Sequence, residues 1–383
     1  MATPPETIHY IDTPGALIDL CERLHGCERL ALDTEFIRER TYYPQLCLVQ
    51  LATAGEIAIV DPLALSDLRP LLDLLCDTSV LKILHAARQD LEIFHLLTGE
   101  VPAPVFDTQI AASLCGFGDQ IGYAALVDRL LGITLDKGQT RTDWTRRPLT
   151  PEMLRYAADD VRHLGTLYQR LHAELERNGR LEWLTSELAL LTRADTYRND
   201  PGEAWRRVRG AQRLKPRERA VLAALAAWRE RTAAEANKPR GWILRDDLLI
   251  ELARRQPETM AELAELRDLG EGFLARRGSE LLHVIRTARA GEMPADEARL
   301  PPLGPEREAL VDILMAIVRQ RAAEHGVSAA NLATRRDLEK LVRGERDGSL
   351  FADWKHEAIG RELLDVLEGR KVLRVQEGKL RIE

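Results

Sequence analysis

The sequence predicts an α/β domain built on a mixed sheet flanked by helices, followed by two small all-α domains. Three observations predict it. Through the first half, to about Glu176, short apolar runs alternate with turn residues and helical stripes. After Asn199-Asp200-Pro201-Gly202 the pattern is helical only. In that second half Gly278-Ser279-Glu280-Leu281-Leu282 is answered by Gly360-Arg361-Glu362-Leu363-Leu364, an internal repeat. The expected domains are 1–200, 201–291 and 305–383, with the Pro-, Gly- and Glu-rich stretch from Gly291 to Pro305 as a linker.

Leu30 to Phe36 reads as an apolar strand ending in Asp33-Thr34-Glu35. Residues i and i+2 of a strand share a face, at about 3.3 Å of rise per residue, so both carboxylates point the same way. Gln45–Leu51 and Glu56–Val60, split by Thr53-Ala54-Gly55, extend this to a meander of three neighbouring strands. Val80–Leu84 is another strand, and His85-Ala86-Ala87-Arg88-Gln89-Asp90 opens a helix whose expected stripe is Leu91, Phe94 and Leu97 or Leu96. Asp90 falls in its first turn, where an acid also suits the helix dipole. Thr150 and Pro151 read as N-cap and first residue of a further helix. There Tyr156 and Asp160, four apart, share a face. Asp159 competes with Asp160 for the same role, and the spacing from Tyr156 favours Asp160.

An isolated acid pair at a strand end is usually solvated surface. Four acids and a phenol delivered by three segments point instead to a cage for two divalent ions, which metal-assisted hydrolysis of a phosphodiester needs about 3.5–4 Å apart. Oxygen-only ligands suit Mg²⁺ or Mn²⁺ rather than zinc. Tyr156, with an ordinary pKa near ~10, is too weak a base to act unaided and reads as a group that orients water.

The Asp-x-Glu, His-x4-Asp and Tyr-x3-Asp segments resemble the three motifs of the DEDDy exonucleases. That resemblance implies a ribonuclease H-like catalytic domain in which Asp33, Glu35, Asp90 and Asp160 hold metal and Tyr156 completes the site. It also implies that Thr34 and Phe36 lie beside the terminal nucleotide. His85 is a candidate for the same pocket, with packing as its alternative, and Trp144 has two readings, base stacking or capping of the core. Leu225-Ala226-Ala227-Trp228-Arg229, Asp246-Asp247 and the leucines at 263, 266 and 269 resemble the HRDC domain, and the last helical unit looks like a diverged copy ending in a hairpin over Lys371–Ile382. Its helix from Glu306 carries Leu310, Ile313, Leu314 and Ile317 as the expected stripe.

One DEDDy domain followed by two HRDC-like domains resembles the bacterial ribonuclease D family, as do Thr41–Gln50 and Lys137–Pro148. The resemblance implies 3′–5′ digestion of RNA with a free 3′ end, release of nucleoside 5′-monophosphates, and trimming of transfer-RNA precursors. A DNA 3′–5′ exonuclease and a catalytically weak RNA-binding module are the rivals. No Gly-x4-Gly-Lys-Ser/Thr loop is present, which excludes a helicase motor.

The chain has 383 residues, 45% hydrophobic and 30% charged, with a formal net charge of −7. That balance argues against bulk attraction to nucleic acid. Basic residues concentrate at Arg38 and Arg40, at Arg141–Arg147, and from Arg206 through Arg207, Arg209, Arg213, Lys215 and Arg217 to Arg219; the last cluster is the candidate RNA track. Five cysteines without Cys-x2-Cys spacing read as reduced thiols. No membrane-length apolar run or secretory pattern appears, so a cytoplasmic protein is expected, with a monomer as the default.

Overall fold

A computed structural model of the chain describes residues 7–136, 138, 142–266, 268–290, 303–346 and 348–383. Taken over these residues, two compact units emerge. One comprises Met1–Phe36, Leu46–Tyr197 and Pro302–Glu383; the other comprises Ile37–Gln45 and Arg198–Pro301. Most of the expected 291–305 linker, and Lys137 and Arg141 of the basic stretches, lie outside the described residues.

The first unit is built on a six-stranded sheet. Its strands are β1 (Thr7–Ile11), β2 (Arg29–Ile37), β3 (Gln45–Ala52), β4 (Glu56–Val60), β5 (Leu81–Leu84) and β6 (Val105–Asp107). Their order is β1-β4-β3-β2-β5-β6, so β2 is central. The β3–β4 pair is antiparallel, while β1–β4, β2–β5 and β5–β6 are parallel. The meander over β2, β3 and β4 is as expected. β1 and β6 carry weak signals: β1 is half exposed and β6 has three residues.

Alternation along β2 sorts its side chains. Leu30 and Leu32 enter a core shared with Leu17 and Leu20 of α1 (Pro14–Leu24), Leu71 and Leu75 of α2 (Arg69–Cys76), and Leu91 and Phe94 of α3 (Arg88–Thr98). The odd positions, Asp33 and Glu35 among them, take the other face. The expected stripe of α3 is corrected here. Leu96 and Leu97 are 42% and 49% exposed, and Ile93 takes the inner position beside Leu91 and Phe94. The helix also starts later than His85, at Arg88.

The domain continues through α4 (Thr108–Leu114), α5 (Tyr123–Leu131), α6 (Pro151–Arg162), α7 (Leu164–Arg177) and α8 (Leu181–Leu191). Thr150 caps α6 by accepting from the Met153 amide at 3.3 Å, with Pro151 at its first turn.

In the second unit, α9 (Pro216–Glu235), α10 (Arg240–Ile243), α11 (Asp246–Arg255), α12 (Met260–Ala264) and α13 (Glu271–Ala290) enclose Val221, Leu225, Trp228, Leu249, Leu281 and Ile285. Thr259 caps α12, which stops at Ala264, although Leu266 and Leu269 beyond it stay buried. The 37–45 segment belongs to this unit. Asn237 Oδ1 accepts the amides of Tyr42 and Tyr43, each at 3.1 Å. The Tyr42 hydroxyl donates to Glu230 at 2.5 Å, and Arg240 donates twice to Glu230 at 2.6 Å. The candidate RNA track is partly spent on local pairs: Arg206 on Glu203, and Arg207 on Asn199 and Glu230.

The last segment repeats the same succession of a long helix, a short one, a middle one, a second short one and a closing one. These are α14 (Pro305–His325), α15 (Ala329–Leu332), α16 (Arg335–Arg343), α17 (Asp353–Lys355) and α18 (Arg361–Leu367), the last entered through a wide turn over His356–Gly360. Both repeat glycines are in close quarters, Gly360 against backbone and Gly278 against the flexible end of the Met260 side chain. A Cβ on Gly278 would lie 2.6 Å from Met260 Cε, and one on Gly360 would strike the Leu350 carbonyl. The α14 stripe is corrected: Leu310 and Ile313 are 40% and 41% exposed, and Val311, Leu314, Ile317 and Val318 face inward. The hairpin is present as β7 (Leu373–Gln376) and β8 (Lys379–Ile382), turned by Glu377-Gly378, both with positive φ. This segment packs on α8. Trp354 stacks on Trp183 at 4.2 Å and 14°, and Lys355 pairs with Glu187 at 3.1 Å. None of the described helices is long and apolar enough to cross a membrane.

Candidate active site

The central strand, the start of α3 and the middle of α6 meet at one place. Asp33, Glu35 and Asp160 each offer a carboxylate oxygen, and these oxygens lie within 4.8 Å of one another. Asp90 is 6% exposed and accepts a hydrogen bond from the Thr34 hydroxyl. Thr34 alternates with the two acids along β2, so its side chain serves Asp90 rather than presenting a free hydroxyl. Among the described residues no arginine, lysine or histidine pairs with any of the four acids.

Their protonation shows what this crowding costs. Burial, then the charges of Asp90, Asp160 and Glu35, holds the Asp33 carboxyl well above the usual carboxylate range. Burial, then Asp160 and Asp90, pushes Glu35 up to about 8. Burial raises Asp90 to about 7 against the Thr34 hydrogen bond, and burial together with Asp159 raises Asp160 to about 7. Four acids thus share one poorly solvated space in which their like charges oppose ionisation.

The choice between Asp159 and Asp160 is resolved by geometry. Asp159 pairs with Arg162 at 2.8 Å, and Asp160 joins the acid cluster. Tyr156 is half-buried one turn before it, with its ring 6.0 Å from that of Trp144 and tilted by 36°. Trp144 is 4% exposed, so its ring is packed in the protein instead of standing free for a base. Phe36 is half-buried against the sheet core. His85 is enclosed: Nδ1 lies 2.9 Å from the Thr108 hydroxyl and Nε2 3.0 Å from the Ile121 carbonyl, and burial lowers its pKa. The packing alternative describes its position.

Two neighbours carry no motif. Asp107 is 2% exposed; its carboxylate accepts the amides of Ala86 at 3.1 Å and Ala87 at 2.8 Å as well as capping α4. It fixes the connection that launches α3, where Ala86 adopts a positive φ of 58°. Tyr123 donates to the Asp159 carbonyl at 2.9 Å and accepts the His163 amide at 3.2 Å, clamping the α6–α7 junction. An acid opening a helix and a tyrosine in a first turn look ordinary in sequence. Only the long-range pairing reveals their tasks.

An acid cluster on the central strand of such a mixed sheet, in a chain that continues as a helical region, is the arrangement of a 3′–5′ exonuclease with an appended HRDC region, and the comparisons agree. Residues 8–176 match the 3′–5′ exonuclease domain family, and residues 218–285 match the HRDC domain. The ribonuclease D of Sphingobium indicum is 41% identical over 98% of each chain, and that of Gluconacetobacter diazotrophicus is 43% identical over 95% of this chain and 94% of that protein. Among solved structures, Escherichia coli RNase D, an exoribonuclease involved in structured RNA processing, superposes with a TM-score of 0.82 at 34% identity, covering 95% of this chain and 99% of that one. The chain belongs to the ribonuclease D family and is a hydrolytic exoribonuclease.

Proposed function

We propose that Asp33, Glu35, Asp90 and Asp160 hold two divalent cations, Mg²⁺ or Mn²⁺, and that Tyr156 orients the attacking water. The observation that carries this reading is the cluster of acids without a cationic partner. Its donors are all hard oxygens, and uncompensated buried carboxylates are tolerated where a cation neutralises them. Asp33, whose charge interacts with each of the other three, would help hold both ions. Glu35 and Asp160 would complete the set that activates the water, and Asp90, oriented by Thr34, would help hold the second ion. When bound, such ions supply a water activated at neutral pH and charge stabilisation for the leaving 3′ oxygen. Thr34 and Phe36 flank the terminal nucleotide.

RNA with a free 3′ end is then shortened to nucleoside 5′-monophosphates. The family and the exonuclease domain support digestion of RNA; 3′ maturation of transfer-RNA precursors by a cytoplasmic monomer is the setting we propose for it. The three-domain division, 1–200, 201–291 and 305–383, belongs to the same proposal. The matching order of helices and the two crowded glycines support the last segment as a diverged HRDC-like copy.

Asp33→Asn with Mn²⁺ and a single-stranded RNA tests the metal assignment. Hydrolysis is expected to fall by several orders of magnitude, and cleavage near the wild-type rate removes it. Matched RNA and DNA strands test the sugar preference; equal rates would favour the DNA exonuclease.

A further inference from the structure

Arg147 closes the loop that precedes α6, and its guanidinium is saturated. Nε donates to Asp61 Oδ2 at 2.5 Å, and Nη2 donates to Asp61 Oδ1 at 2.6 Å and to the Cys47 carbonyl at 3.0 Å. Nη1 donates to the carbonyls of Trp144 and Arg146, both at 2.8 Å. All five N–H donors of an arginine are thereby used. Asp61, whose side chain is 1% exposed, also accepts from the Tyr10 hydroxyl and from the Leu63 amide at 3.0 Å. One guanidinium therefore ties the 142–148 loop to β3, to the residue after β4 and, through Asp61, to β1. A residue counted among the basic stretches is unavailable to a phosphate.

The loop so fixed carries Trp144. Its carbonyl is one of the five acceptors, and its buried ring lies against Tyr156. A buried bidentate pair is an expensive way to hold a surface loop; desolvating two ions is repaid only when geometry is good, and its best-attested use is to fix one arrangement.

We propose that the Asp61–Arg147 pair is a positioning unit for Tyr156. It holds Trp144 against the Tyr156 ring and so limits where the phenol can stand, without touching substrate or metal. The inference rests on the reading of Tyr156 as the residue that orients the nucleophile. A misplacement of about 1 Å at a reacting group costs on the order of 10²-fold in rate, so a loosened loop is expressed in kcat.

The test combines Arg147→Lys, which keeps the charge but loses the planar fork, with Trp144→Phe and Tyr156→Phe, singly and in pairs. Each of Arg147→Lys and Trp144→Phe is expected to lower kcat by about 10- to 100-fold, with KM for RNA and Mn²⁺ affinity within threefold of wild type. Added to Tyr156→Phe, either is expected to lower kcat by less than threefold further, because its route of action is already gone. Full additivity on an impaired Tyr156→Phe background overturns the positioning inference and leaves the role of Tyr156 standing. Loss of Mn²⁺ affinity in step with kcat also overturns it, because the pair would then support the fold at large. A Tyr156→Phe enzyme with wild-type kcat sinks the role of Tyr156 itself. Should Arg147→Lys fail to fold, the Trp144→Phe and Tyr156→Phe pair decides the question alone.

Discussion

Asp61 and Glu230 are as deeply buried as Asp90, at 1%, 2% and 6% exposure, yet their surroundings are opposite. Burial drives the Asp61 carboxyl up, but hydrogen bonds from Arg147 and Tyr10 outweigh it and hold it below the usual range. For Glu230, burial is likewise overcome by Arg240 and Tyr42. Among the described residues Asp33, Glu35, Asp90 and Asp160 have no cationic partner, the hydrogen bond from Thr34 does not offset the burial of Asp90, and all four sit above their usual range. Acids that hold the protein together are matched within the chain. Acids left unmatched are the ones we propose as ligands of cations from outside, and burial alone does not separate the two kinds.

The largest effect that would break this comparison is a gain of stability on loss of function. Asp33→Asn removes one of four mutually repelling charges. We expect the metal-free variant to melt above metal-free wild type at pH 8, while RNA hydrolysis falls by several orders of magnitude. A lower melting temperature at pH 8 would show that the cluster is internally compensated after all.

The matched acids predict the reverse. Arg240→Met leaves Glu230 buried without its bidentate partner. Breaking such a pair costs about 3–5 kcal/mol, and the partial exposure of Arg240, 34% of its side chain, puts the value toward the lower end. Urea unfolding measures it, and a change below about 1 kcal/mol would place Glu230 with the ordinary surface pairs.

The pH dependence sharpens the contrast further. A raised carboxyl pKa means that the folded protein retains protons which the unfolded chain has released. From the ordinary carboxylate range up to about 7 for Asp90 and Asp160 and about 8 for Glu35, the folded state binds more protons. Stability of the metal-free protein therefore falls as pH rises through that window. Mn²⁺ or Mg²⁺ is expected to raise the melting temperature more at pH 8 than at pH 5, with proton release on binding measurable by calorimetry in buffers of different ionisation enthalpy. A thermal shift independent of pH, without proton release, would count against the acids as ligands. Asp61 has the opposite sign. Its contribution is present above the ordinary carboxylate pKa and is lost as pH falls through its depressed folded value.

How far the sequence carried this contrast depends on range. Asp33 and Glu35 were readable because strand alternation is local, and Tyr156 with Asp160 because helical spacing is local. The central sheet followed from apolar runs bounded by turns. Where one position of rotation matters, local pattern was insufficient: Leu96 and Leu310 fit a stripe as well as Ile93 and Val311 do, and only the neighbouring surfaces choose between them. The matched acids were invisible for a stronger reason. Asp61 and Arg147 are 86 positions apart, and Tyr42 and Glu230 are 188 apart. Nothing in either segment announces its partner, so Arg147 read as part of a basic stretch. Motifs made the unmatched acids legible, whereas pairing at long range hid the matched ones.

The smallest effect tests how much redundancy the matched acids have. Tyr10→Phe removes one donor from Asp61 and leaves the two Arg147 hydrogen bonds and the Leu63 amide in place. Burial, then the hydrogen bond to Asp61, pushes the Tyr10 pKa up to about 12, so the hydroxyl remains a donor across the working pH range. A hydrogen bond to a charged group contributes about 1.5–3 kcal/mol, and the remaining donors around Asp61 place the expected loss near the bottom of that range. Hydrolysis by Tyr10→Phe should stay within about threefold of wild type, because Arg147 still grips the Trp144 loop. A loss as large as that from Arg147→Lys would mean that Asp61 is held in place mainly by Tyr10, and that the arginine follows the acid rather than fixing it.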